Sequence, residues 1–107
     1  MKRLEATFSR GKVTTVVTAL ESHPVIAMSI WEVNDRVQSG IKKMWRGLEY
    51  EESFRKGAHL TVLIDDEFAD TVVEAIEKAT SMDQDESGTI VLSQVDKLIR
   101  IGAPADL

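Results

Sequence analysis

Hydrophobic periodicity along this chain switches from two to 3.6 and back, and then does so a second time. Residues 3–9, RLEATFS, alternate, with Leu4, Ala6 and Phe8 pointing one way and Arg3, Glu5, Thr7 and Ser9 the other. That is the period of a half-buried strand. In KVTTVVTALESHP, Val13, Val16, Val17 and Leu20 recur at i, i+3, i+4 and i+7, which predicts an amphipathic helix. Its β-branched residues have low helix propensity, so packing must stabilise it, and Pro24 closes it. VIAMSIWEV (25–33) reads as a second strand, apolar on both faces and therefore expected at the centre of a sheet. AHLTVLI (58–64) alternates again. Asp65 or Asp66 can cap a second helix, whose stripe is Phe68, Ala69, Val72, Val73, Ile76 and Ala79. After the polar SMDQDESG, TIVL (89–92) is a short strand, and DKLIRI (96–101) reads as another short extended piece.

The order β-α-β, long connection, β-α-β predicts an α+β fold, the ferredoxin-like βαββαβ sandwich. Right-handed crossovers place both helices on one face of a four-stranded antiparallel sheet. The opposite face has no helix to cover it, and further copies of the chain are the expected cover. A length of 107 residues suggests a single domain, 1–107. Such a chain buries roughly two-thirds of its unfolded surface, too little for a deep enclosed active site.

Between the second and third strands lie residues 34–56, where the regular pattern stops. A hairpin loop normally needs about 2–5 residues, and long irregular connections are usually functional or disordered. Trp45, Tyr50 and Phe54 argue against disorder, because disordered tracts are poor in aromatics. The segment carries six basic side chains (Arg36, Lys42, Lys43, Arg46, Arg55, Lys56) against four acidic ones, +2 in a chain whose formal net charge is −5. A mildly basic, aromatic-bearing protrusion on an acidic body suits contact with an anionic ligand or a partner protein.

Other functions are disfavoured. A net charge of −5 argues against binding nucleic acid or an anionic membrane. There is no cysteine, which removes disulfides, zinc–thiolate sites and thiol catalysis. No apolar run approaches the ~20 residues of a membrane span, and the opening MKRLEATFSR is too polar for a signal peptide; a cytoplasmic location is expected. No nucleophile–base–orienter set and no metal-ligand cluster is visible, so no catalytic residues are expected. His23 reads as a turn residue, and His59 opens the third strand. Trp31 is expected in the core or a subunit interface.

The MKRLEA opening, the EV before the long segment, RGLEY within it, DDEFADTVVEAIEKAT, SGTIVL, VDKLIRI and the closing ADL together resemble the PII signal-transduction family over the whole length. RGLEY between strands two and three is the most specific of these. The resemblance implies a homotrimer that binds adenine nucleotides in clefts between subunits and has no prosthetic group. The long segment (the T-loop) would dock on a regulated protein such as a membrane transporter. By position, the resemblance assigns Ser29 to the adenine and Thr7 and Leu63 to the pocket wall. Arg36 and Gln38 fall where the loop base meets phosphate and a Mg²⁺-bound oxoacid. Gly88 falls at the end of a phosphate-binding loop, and Arg100 on phosphates of the next subunit. Lys42, Lys43, Trp45, Arg46 and Tyr50 belong to the partner-binding loop; Tyr50 matches a tyrosine that some members carry as a nucleotidylation target.

Departures from the family pattern concentrate on charge. The loop after the second helix carries Asp83, Asp85 and Glu86 in place of a glycine-rich, lysine-containing run whose backbone N–H groups would cradle phosphate. Thr89, kept as a site residue, stands where a phosphate-binding lysine is usual. Gly102 replaces a second arginine, Gly57 replaces a lysine, and Asp35 and Val37 replace glycines at the loop base. Each lost cation removes a charge-assisted hydrogen bond of roughly 1.5–3 kcal/mol. AMP or ADP is therefore expected in preference to Mg-ATP with 2-oxoglutarate. The alternative is a trimer that no longer binds nucleotide and senses bicarbonate or a metal ion, or acts only as a protein-binding module. Small metal-tolerance trimers share the topology but lack the long segment.

Overall fold

The computed structural model describes residues 1–81 and 88–102, with the backbone alone at 37–43 and 50–53. Strand β1 is Lys2–Ser9, and its inward positions Leu4, Ala6 and Phe8 are buried. A 3-10 turn, Arg10–Lys12, leads into α1, Val13–Leu20, which buries Val16 and Leu20. The helix ends before Pro24 is reached. Strands β2, Ala27–Trp45, and β3, Leu48–Ile64, come next. A second 3-10 turn, Asp66–Phe68, opens α2, Ala69–Thr80, and β4 is Thr89–Gln94. Asp65 occupies the cap position, but its side chain makes no capping hydrogen bond.

The strands are ordered β2-β3-β1-β4, and every neighbouring pair is antiparallel. This is the ferredoxin-like arrangement, with α1 and α2 on one face. Alternate residues of β1 and β3 meet the helices there. Leu4, Phe8, Leu60, Val62, Ile64, Val16, Leu20, Val72 and Ile76 are each no more than 3% exposed. Burying each such side chain stabilises the fold by about 1.5–3 kcal/mol. Among the described residues, no helix is long and apolar enough to cross a membrane.

Three expectations from the sequence need correction. The second strand is not central: β2 is an edge strand, and Met28 and Trp31 on it are exposed. Apolar side chains on both faces of a strand report what the faces pack against, not how many strands it pairs with. The 34–56 segment is not irregular either. Its backbone continues the ladder, so that β2 and β3 run out of the body as a two-stranded ribbon. The register breaks between Arg36 and Ile41, where residues 37–40 stand opposite residue 53 alone, a large bulge. Beyond β4, residues 96–101 form no strand, and Leu98, Ile99 and Ile101 are exposed. The acidic run 83–86 and the closing ADL lie outside the described residues.

Candidate functional site

The pleat sends alternate residues to the face without helices, and the registers lay them out in rows. One row reads Trp31, His59, Thr7, Thr89; the next Ser29, Thr61, Glu5, Val91; the third Ala27, Leu63, Arg3, Ser93. Trp31 and His59 stack with ring centroids 4.7 Å apart and planes 10° from parallel. Thr7 and Thr89 share a hydroxyl–hydroxyl hydrogen bond of 2.6 Å. Arg3 Nε lies 3.3 Å from Glu5 Oε1.

Thr7 and Thr89 also stand at the rim of a cleft of about 470 Å³, between the end of α2 and the starts of β4 and of the turn after β1. Phe8, Ile76 and Ile90 form its apolar wall; Lys12, Glu77 and Ser81 supply polar groups. Gly88 lies on its border, and a Cβ there would run into the Thr7 carbonyl oxygen, so only glycine permits this approach of the two chains. Thr80 Oγ1 donates to Ile76 O at 2.8 Å and Ser81 Oγ to Lys78 O at 3.2 Å.

The structure therefore brings Thr7, Gly88 and Thr89 together. Ser29 and Leu63 share the open face but not the cleft. Two strand spacings and one pleat repeat separate Ser29 from Thr7, roughly 12 Å, and Ser29 is not among the described residues that line the cleft. Arg36 opposes Phe54 in the last pair before the bulge and is exposed. Arg100 is exposed in the segment after β4. Gln38, Lys42, Lys43 and Tyr50 fall where the backbone alone is described; Gln38 is in the bulge, and Lys43 pairs with Tyr50 across the ribbon.

At the ribbon's tip, Arg46 (φ 50°) and Gly47 (φ 78°) form the two-residue connection between the paired Trp45 and Leu48. Two successive positive φ values are the signature of a type I′ turn, whose twist matches the strands. The Arg46 guanidinium lies 4.6 Å from the Trp45 ring centroid, within cation–π range. Met44, Trp45 and Leu48 are 67%, 59% and 69% exposed.

The root of the ribbon holds residues that sequence reasoning missed. Arg10 donates from Nη2 to Val33 O at 2.8 Å and from Nε to Gly57 O at 3.3 Å, and Nη1 lies 3.8 Å from Glu32. One side chain thus bridges β2 and β3 where they leave the body. Asp35 Oδ2 sits beside Gly57 Cα, where a Cβ would collide with it; it is buried, 4.0 Å from Arg55 Nε and without a hydrogen-bond partner. Sequence offered one signal, the arginine directly after an alternating strand, and it was too common to single out. Lys12 and Glu77 were also missed, having no motif around them. No group of three or more His, Cys, Asp or Glu among the described residues is placed to hold a metal ion.

The family model described as nitrogen regulatory protein P-II matches residues 1–103. The chain is 33% identical over 102 residues to nitrogen regulatory protein P-II 2 of Methanothermobacter thermautotrophicus, covering 94% of this chain and 89% of that one. It is 32% identical to nitrogen regulatory protein P-II of Cereibacter sphaeroides and 31% to that of Rhizobium meliloti, in each case over 94% of this chain and 91% of the relative.

Proposed function

Since the chain belongs to the nitrogen regulatory protein P-II family, we propose that it is a non-catalytic, cytoplasmic regulator that acts as a single domain assembled into a homotrimer. It binds an adenine nucleotide in clefts completed by neighbouring subunits, AMP or ADP rather than Mg-ATP with 2-oxoglutarate. It uses the β2–β3 ribbon as its T-loop, which it presents to a regulated protein of the membrane-transporter class.

The observation that carries this reading is the separation of the assigned site residues. Thr7, Gly88 and Thr89 border a cleft, whereas Ser29, Leu63 and Arg100 lie elsewhere on the chain. A site so divided becomes whole when a second copy supplies the missing half. The open sheet face and the exposed Leu98, Ile99 and Ile101 supply apolar area for that association. Titration calorimetry with AMP, ADP and ATP tests the nucleotide, and sedimentation tests the trimer. No heat with any of the three at millimolar concentration removes the nucleotide, and a lone subunit at micromolar concentration removes the shared site.

A second reading keeps the trimer and drops the nucleotide in favour of bicarbonate or a metal ion, or of protein binding alone. The single cation and single carboxylate lining the described part of the cleft favour it over polyphosphate binding. A thermal-shift screen with bicarbonate and divalent metals distinguishes it: a rise in melting temperature with one of them and none with nucleotides selects this reading.

A further inference from the structure

We propose that Arg10 is a positioning residue that couples the cleft to the ribbon. A ligand that orders the turn after β1 seats the Arg10 guanidinium across β2 and β3 and so fixes the ribbon's root. This rests on the nucleotide reading above and assigns the side chain through which an occupant of the cleft reaches the T-loop.

The turn has two sides. Phe8 and Ser9, which lead into it, line the cleft, and Arg10 is not among the lining residues. The Arg10 side chain goes the other way, to Val33 O at 2.8 Å and Gly57 O at 3.3 Å, with Nη1 3.8 Å from Glu32 Oε2. A planar guanidinium presents its donors as a rigid fork, so it holds two carbonyls of separate strands at once. The ribbon's two strands are thus clasped by a side chain that follows directly on the cleft wall.

The clasp is either seated or released. Seated, it makes charge-assisted hydrogen bonds to both strands. Released, the root has a reason to loosen, because Asp35 Oδ2 sits beside Gly57 Cα, buried and without a hydrogen-bond partner. An unsatisfied buried acceptor favours any state in which it meets water. Gly57 therefore stands between one group that closes the root and another that favours opening it.

The turn that carries Arg10 is slight: three residues, none of them buried, with no side-chain hydrogen bond capping its start. Segments with little burial open at low free energy, and a molecule packed against Phe8 and Ser9 restricts that opening. The coupling is reciprocal. The factor by which a ligand favours the seated state is the factor by which seating favours the ligand.

Amide exchange and calorimetry of the full chain with AMP test this in the wild type, Arg10→Ala and Arg10→Lys. Saturating AMP should slow exchange at 33–36 and 54–57 of the wild type by about tenfold, an ordinary size for coupling between two sites. In Arg10→Ala that slowing should vanish while AMP still gives heat, and AMP should bind more weakly by the same factor, about tenfold. Arg10→Lys keeps the charge without the fork and should retain only part of both effects. A purely structural Arg10 would instead speed exchange at the root with and without AMP alike and leave AMP affinity at the wild-type value, which overturns the proposal. Wild-type root exchange that bound AMP leaves unchanged also overturns it, as does undiminished slowing in Arg10→Ala, or in Arg10→Lys should the alanine variant not fold. A wild type that gives no heat with AMP removes the nucleotide reading and this inference together. Binding without a change in exchange removes only the inference.

Discussion

Strands β2 and β3 each live in two environments. Within the body, Ala58, Leu60, Val62 and Ile64 of β3 are wholly buried beneath α1 and α2. In the ribbon, Phe54 and Leu48 of the same strand are 54% and 69% exposed. The two strands stay paired in both, apart from the bulge between Arg36 and Ile41, so pairing does not distinguish them; burial does. A helix layer is what converts a pair of strands into part of a core, and a two-stranded ribbon without one is marginal by itself. The ribbon is therefore held chiefly at its root, by Arg10 across β2 and β3 and by Asp35 with Arg55.

That contrast can be broken from either side. Leu60→Ala in the body should lower unfolding stability by about 2–5 kcal/mol, read as a fall in the denaturant midpoint. A loss below 1 kcal/mol would mean that the core does not carry the fold. Arg10→Ala at the root should cost about 1.5–3 kcal/mol, the range for hydrogen bonds from a charged donor. It should also speed amide exchange at Val33 and Gly57 more than at Leu60; uniform acceleration would deny that Arg10 acts locally. Gly47→Val places a β-branched residue at φ 78° and should cost about 1–2 kcal/mol, the penalty of the left-handed region. That loss should be confined to exchange in the ribbon, with the body's melting temperature steady. Trp45→Ala at the tip should leave stability within about 0.5 kcal/mol, as exposed substitutions do, while weakening capture of a regulated protein. A large loss of stability would show that Trp45 packs rather than displays.

The body was legible in the sequence because burial writes a period. Leu4, Ala6 and Phe8 announce β1, and Val72 and Ile76 announce α2, since one face of each must be apolar. The ribbon was not legible because its described apolar side chains, Met44, Trp45, Leu48 and Phe54, are exposed, and a strand wet on both sides has no alternation to read. Its one local cue, Arg46-Gly47, is a weaker hairpin signal than Asn-Gly. The candidate site divides the same way. Gly88 could be assigned through the run SGTIVL, and its glycine requirement has a physical basis in the Thr7 carbonyl. Lys12 and Glu77 face the cleft only because the turn after β1 and the last turn of α2 converge, a fact of packing that leaves no spacing in the chain.

The rim strand of the sheet and the first limb of the ribbon belong to one strand, Ala27–Trp45, kept in line past the bulge by its pairing with β3. The unbulged limb opposite, from Phe54 back to Leu48, spans about 20 Å. A rotation of about 5° at the rim would then displace the far end by nearly 2 Å, by simple leverage over that reach. A small tilt where the ribbon leaves the sheet is thereby enlarged at its aromatic end.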